Sequence, residues 1–207
     1  MNKIAMTLIL SALIAGASFA QVKFGVTAGV NFSNTVWEDG RMNSKGSNNL
    51  RTGFQGGAVV DFSLNEKFSI SPELLFTQRG SKGVLSEMKL NYLQLPLNVV
   101  YKWSIGNRSK LLVFAGSYLG YGLSGELKKP VFNADDSSWG SIYEDVSFGS
   151  KADELKTLDF GVNAGIGYQF RKMFLKFQFS PGLTNLSNIE AVISKNTNLA
   201  ITTGYFF

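Results

Sequence analysis

The chain has 207 residues and a formal net charge of +5, with neither Cys nor His. It therefore lacks disulfides, thiolate metal sites and an imidazole base. Its basic residues are scattered, without the stripe that nucleic acid requires, so no nucleic-acid partner is expected.

The N-terminus is read first. Met1-Asn2-Lys3 gives a positive start, Ile4 to Ala17 is almost wholly apolar, and Ser18-Phe19-Ala20 places small residues where a signal peptidase reads. This layout predicts a signal peptide over residues 1–20, cut between Ala20 and Gln21. The apolar run is short of the roughly 20 residues that a helical span needs. No Cys follows the cut, so a lipid anchor is not expected. Residues 21–207 then form one domain, and no later segment holds a long apolar run.

From there the pattern has a period of two. Val22 to Phe32 is apolar at even positions and polar or Gly at odd ones, which gives a strand with one oily face. The alternation returns over Phe54–Phe62, Phe68–Phe76, Leu93–Trp103, Leu158–Phe170, Leu175–Phe179 and Leu199–Phe207. Leu111–Ser124 is strand-like but apolar on both faces, and its orientation stays open. About eight strands result. The connections alternate in length: Leu64-Asn65-Glu66, Ser104–Ser109 and Arg171-Lys172 are short, whereas Asn34–Leu50, Arg79–Lys89, Gly125–Thr157 and Thr184–Asn196 are long. Pro72 and Pro96 fall inside predicted strands, where local bulges are expected.

Oily-face aromatic residues fall into two groups. Phe24, Phe62, Phe68, Trp103, Phe170 and Phe207 lie near the short turns, and Phe32, Phe54, Phe76 and Phe179 near the long loops. Two belts separated by aliphatic residues suit the two headgroup levels of a bilayer. Phe24 to Phe32 spans roughly 27 Å at about 3.3 Å per residue, or roughly 20 Å at a tilt near 40°, which suits a thin outer membrane. The expected fold is all-β: a closed antiparallel up-and-down transmembrane barrel of about eight strands. An even strand number places both termini on the short-turn, periplasmic side of a Gram-negative outer membrane. A soluble periplasmic lipid-binding barrel, with its apolar face turned inward, shares the alternation. Loop lengths and belts weigh against it.

The strand Asn91-Tyr92-Leu93-Gln94-Leu95-Pro96-Leu97 resembles the tyrosine-to-proline strand of the PorT-like outer-membrane β-barrel family of Bacteroidota. Pro72–Phe76 with Gln78-Arg79-Gly80 resembles the strand and loop upstream of it. Leu158–Tyr168 resembles the family's later Gly-rich strand. The resemblance implies an outer-membrane barrel and little biochemistry. The ending Thr202–Phe207 resembles the C-terminal signal of barrels inserted by the outer-membrane assembly machinery, with Tyr205 and Phe207 as its aromatic residues.

Chemistry has few candidates. Small-barrel hydrolases use His, which is absent, so no catalytic, metal or cofactor-binding residue is expected, and no cofactor. Asp61, Glu73 and Asp159 are the remaining acid–base candidates, and Lys176 with Ser180 a weak nucleophile pair. Lys23, Arg51, Asp61, Glu73, Gln94, Asn98, Lys102, Asn163, Lys176 and Gln178 carry inward parity. They would fill an eight-stranded lumen, with Asp61, Glu73, Lys102 and Lys176 as its polar network. Glu73 and Lys176 are expected on opposite walls, bridged by an intervening amide. A narrow small-solute channel is the alternative. Gly125–Thr157 carries Asp135, Asp136, Glu144, Asp145, Asp153 and Glu154 with Phe132, Trp139, Tyr143 and Phe148. It is the candidate partner loop, with Trp139 and Tyr143 foremost. Expected partners are outer-membrane lipid, the assembly machinery during insertion, and a protein at this loop.

Overall fold

The computed structural model describes residues 21–41, 44–83, 86–133 and 138–207. The predicted signal peptide, including Ala20, lies outside these residues, as do Asp135 and Asp136. Ten strands follow in chain order: β1 (Gln21–Asp39), β2 (Ser44–Ser47), β3 (Arg51–Ser63), β4 (Phe68–Lys82), β5 (Glu87–Ile105), β6 (Ser109–Asn133), β7 (Ser138–Val146), β8 (Leu158–Phe170), β9 (Met173–Pro181) and β10 (Val192–Phe206).

Eight of them form the ring β1-β3-β4-β5-β6-β8-β9-β10, and β10 returns to pair with β1 from Gly25↔Phe206 to Asp39↔Val192. All the pairings are antiparallel between neighbours in the ring. Closure leaves no sheet edge in the wall, so backbone amides and carbonyls find partners without water. The eight ring strands are the seven of the alternation and the Leu111–Ser124 strand, and β2 and β7 are additional. Both lie in segments expected to be loops. β2 extends the far end of β1, and β7 folds back on Gly125–Asn133 of β6. Several wall strands also run past their expected ends: β4 continues to Lys82, β5 begins at Glu87 and β6 reaches Asn133. The segments expected as long loops are therefore largely β-structure.

The expected bulges at Pro72 and Pro96 are absent. Register is constant along β3–β4 and β4–β5 on both sides of the prolines. Rungs are simply missing there: Val60 and Asp61 have no ladder partner in β4, nor Glu73 and Leu74 in β5. A missing N–H removes a bond without requiring an extra residue. The register shift among the described pairs lies instead between Asn91 and Tyr92 of β5, where Leu123 of β6 is skipped.

The sheet is turned inside out relative to a soluble barrel. Val26, Val30, Leu95, Leu97, Val99, Ile166, Phe177 and Leu199 are exposed on the outer wall. Asn31, Thr77, Gln94, Asn98, Asp159, Asn163 and Asn198 are buried inside. β6 is now oriented: Leu112, Phe114 and Tyr118 point inward, and Val113, Leu119, Tyr121 and Leu123 outward. Its inward rings explain the glycines of β8. Phe114 covers Gly165 and Tyr118 covers Gly161, while Phe174 of β9 covers Gly204 of β10. Each Gly gives up its side chain so that an aromatic ring from the next strand can lie flat on the wall.

Candidate functional site

The lumen can be built upward from the short-turn end. Lys102 Nζ donates to Asp61 Oδ1 at 2.6 Å, and the Ser63 and Ser69 hydroxyls donate to the two oxygens of the same carboxylate. Lys176 forms a direct ion pair with Glu73, so no intervening amide is needed. Its ammonium also lies 5.8 Å from the Phe114 ring centre and 5.3 Å from that of Phe174. The two ion pairs line one cavity of about 30 Å³, together with Val59, Val100, Leu112, Phe114, Phe174 and Phe206. That space suits a water or two. All four charged residues are buried, as charges in an apolar wall must be paired to be tolerated.

Above this, amides and hydroxyls knit the strands together. Asn163 Nδ2 donates to Asn98 Oδ1 at 3.2 Å, Ser180 Oγ donates to Asn163 Oδ1 at 2.8 Å, and Gln178 Nε2 donates to Ser180 Oγ at 2.9 Å. Ser180 is thus engaged with Asn163 and Gln178, while Lys176 holds Glu73. The weak nucleophile pair is not assembled.

Toward the long-loop end lies a third charged layer. Arg79 is 1 % exposed and Asp159 fully buried. The Arg79 guanidinium donates to Gln94 Oε1 at 2.6 Å, to the Tyr118 hydroxyl at 3.1 Å and to Asp159 Oδ2 at 3.3 Å. It also stacks 4.7 Å from the centre of the Tyr118 ring. Asn196 Nδ2 donates to Asp159 Oδ2 at 3.2 Å and to the Tyr92 hydroxyl at 3.4 Å. Asp159 was an acid–base candidate on sequence, but here its carboxylate is filled by donors from three strands. Arg79 and Tyr92 enter the sequence reading within the motifs of the family resemblance, not among its site candidates, and Tyr118 is absent from those candidates as well. Arg79 had been placed at the start of a loop, although its odd parity continues that of Glu73 and Thr77. Tyr118 lay on the strand of undetermined orientation.

The loops close the layer from above. The Phe148 ring meets Tyr92 edge-on, with centres 5.5 Å apart. Leu186 is 1 % exposed, and its carbonyl accepts from the Lys156 amide. Asn188 Nδ2 lies 3.0 Å from the carbonyl oxygens of Gly149, Lys151 and Glu154, tying the β9–β10 connection to the β7–β8 connection. Beside this cap, β7 and the end of β6 project as a hairpin. Trp139 is 73 % exposed and Tyr143 61 %, with Ile142 exposed as well. Lys129 pairs with Glu144, and Lys128 lies over the Tyr143 ring at 5.8 Å. Where β6 leaves β8 for β7, an open groove of about 580 Å³ is lined by Tyr121, Gly122, Asp145, Phe148 and Thr157.

The belt residues stand on the outer wall. Phe24, Phe68, Trp103 and Phe170 are exposed at the short-turn end, with Phe62 half-buried beside them. Phe68 pairs with Tyr101 at 5.1 Å between ring centres, and Tyr205 with Phe207 at 6.0 Å. Phe179 is exposed and Phe32 half-buried at the other end, where Phe54 and Phe76 rings lie 5.8 Å apart. Gln21, the expected first mature residue, begins β1 and pairs with Ser63.

With this geometry established, comparison with known proteins gives a family match. The model of the family described as "Outer membrane protein beta-barrel domain" matches residues 19–188. No curated protein matches the chain. Among solved structures, the chain is similar to Ail, the attachment invasion locus protein of Yersinia pestis, at 15% identity and a TM-score of 0.48, covering 90% of this chain and 99% of that one. It is also similar to Neisserial surface protein A, at 11% identity and a TM-score of 0.48, covering 90% and 99%. OprG from Pseudomonas aeruginosa follows at 11% identity and a TM-score of 0.43, covering 91% and 97%.

Proposed function

Because the chain belongs to the outer membrane protein β-barrel domain family, we propose that it is a sealed, non-enzymatic barrel that carries the β6–β7 hairpin at the cell surface as an interaction face. Residues 1–20 act as the export leader. The short turns and both ends of the mature chain lie in the periplasm. Within the family, the Asn91–Leu97 strand supports placing it with the PorT-like barrels.

One observation carries the reading: layers of paired charges and amides cross the lumen while Trp139, Ile142 and Tyr143 of the hairpin are exposed. Solutes would have to pass the Arg79–Asp159–Tyr118 layer, the Phe148 and Leu186 cap, and the constriction where the Glu73–Lys176 pair meets Phe114, Phe174 and Phe206. An eight-stranded barrel has room for side chains and little else. Trp139, Ile142 and Tyr143 meanwhile present apolar surface of the kind that protein partners bury, beside the groove at the strand fork. A soluble lipid carrier needs an apolar interior, and this lumen is polar.

Planar-bilayer recording separates a sealed barrel from a channel. The purified protein is expected to give no steady conductance steps. Reproducible steps that vanish on adding bulk inside the constriction, as with Val100→Phe, would establish the channel instead.

A further inference from the structure

The short-turn end carries a second surface with its own chemistry. Its three turns hold Lys67, Arg108, Arg171 and Lys172 against one carboxylate, Glu66. Three of these cations stand on adjoining turns. The Arg171 amide donates to the Arg108 carbonyl at 2.8 Å, which joins the β8–β9 turn to the β5–β6 turn. The Lys172 carbonyl accepts from the Phe206 amide at 2.8 Å, which joins the same turn to the end of β10. All three side chains are exposed, and none has an ion-pair partner among the described residues.

Two of the cations lean outward. The Arg171 guanidinium lies 5.6 Å from the centre of the Phe170 ring, and Lys172 Nζ lies 5.8 Å from that of Tyr205. Both rings belong to the outer-wall belt, so both charges stand at the rim where lipid headgroups meet the wall, and not over the lumen. Tyr168 adds a hydroxyl at this level, donating to Ser109 Oγ at 2.8 Å. Arg171 also adopts a left-handed backbone, with φ of 54°. A two-residue hairpin turn ordinarily gives that position to Gly or Asn, and a large cation sits there at a conformational cost.

We propose that Arg108, Arg171 and Lys172 form a binding site for an anionic phospholipid, with its phosphate at the three cations and its acyl chains along the belt beside Phe170 and Tyr205. The inference rests on the membrane reading of the outer wall. It adds a lipid preference that the barrel alone does not require. The charge complementarity is local: three exposed cations on adjoining turns, beside an apolar wall and in excess over Glu66 and the terminal carboxylate, select a diacyl anion over a zwitterionic lipid or a free phosphate.

Trp103, exposed in the same belt, provides the reporter. The full mature chain carrying Trp37→Phe and Trp139→Phe is reconstituted in phosphatidylcholine vesicles. Part of the lipid is dibrominated phosphatidylglycerol or dibrominated phosphatidylcholine, at equal mole fraction. Quenching by the glycerol lipid is expected to correspond to a relative affinity at least about threefold higher. The preference should fall to near one in Arg108→Gln/Arg171→Gln/Lys172→Gln, weaken in high salt, and be unmoved by free glycerol phosphate. Equal quenching in the parent, a preference retained in the triple variant, or competition by glycerol phosphate would each overturn the lipid site. If the triple variant does not fold, Arg108→Gln/Lys172→Gln is judged on the same scale, and an unchanged preference again overturns it. Absence of quenching by either lipid would instead contradict the membrane wall itself.

Discussion

At the scale of single residues, the lumen holds buried charges in pairs beside two small apolar clusters. The Glu73–Lys176 pair is buried on both sides and packed against Phe114 and Phe174. Removing one partner strands the other, which costs about 3–5 kcal/mol for a fully buried pair. Lys176→Met alone and Glu73→Leu alone are each expected to lose that order of stability on unfolding in detergent. The double variant should lose clearly less than the sum, and strictly additive losses would refute the coupling. Phe207 is a different case. It is 69 % exposed, and its amide donates to the Phe24 carbonyl at 2.8 Å, one bond past the last ladder pair of the β1–β10 seam. Deleting it removes one hydrogen bond and one belt ring, so detergent-refolded protein should remain nearly as stable as the parent. If the terminal aromatic is also read by the assembly machinery, the heat-modifiable folded form should fall sharply in cells. Normal assembly after the deletion would leave Phe207 only its belt role. Parity made Glu73 and Lys176 legible as inward residues. Their direct contact was not legible, because strand tilt decides which residues of distant strands meet, and no alternation pattern encodes it. Arg79 was hidden for a simpler reason: a Gln-Arg-Gly sequence looks like a turn, whereas Gly80 continues the strand with φ of 145°.

At the scale of elements, seven of the eight wall strands could be read from period-two alternation because each has one face in lipid and one in a polar lumen. β6 resisted that reading because its inward face carries Leu112, Phe114 and Tyr118, which serve as covers for the glycines of β8. The pattern becomes intelligible only when the two strands are read together. β2 and β7 were not legible at all, since above the membrane neither face has to be apolar and the alternation fades. The β6–β7 hairpin adds no rung to the β6–β8 seam, which β6 holds through Ser109–Tyr121, while on its other edge Gly125–Lys128 still pairs with Glu87–Leu90 of β5. Replacing Lys129–Ile142 by an Asn-Gly turn between the paired Lys128 and Tyr143 keeps every β5–β6 rung, and should therefore leave the folded, heat-modifiable barrel intact in the outer membrane. Any surface-binding property of the parent should be lost in the same variant. Loss of the folded form would show that the hairpin supports the wall, and the division into anchor and interaction face would have to be abandoned.

At the scale of the whole molecule, three features define one axis. The short turns, both described termini and the cations of those turns lie at one end, and the hairpin, cap and strand extensions lie at the other. The outer wall between them is apolar with an aromatic group at each end. Loop-length alternation made this polarity readable in the sequence, but the cap over the lumen was not. The cap depends on contacts of Phe148 with Tyr92 and of Asn188 with three carbonyls, between segments remote in the chain. The proposal that the hairpin faces outward is tested most directly by labelling intact cells with an impermeant maleimide. The chain has no Cys of its own, so single Trp139→Cys and Asn65→Cys variants report without background. The account predicts that position 139 labels on intact cells and position 65 only after the outer membrane is permeabilised. Labelling of position 65 on intact cells, with position 139 protected, would contradict it.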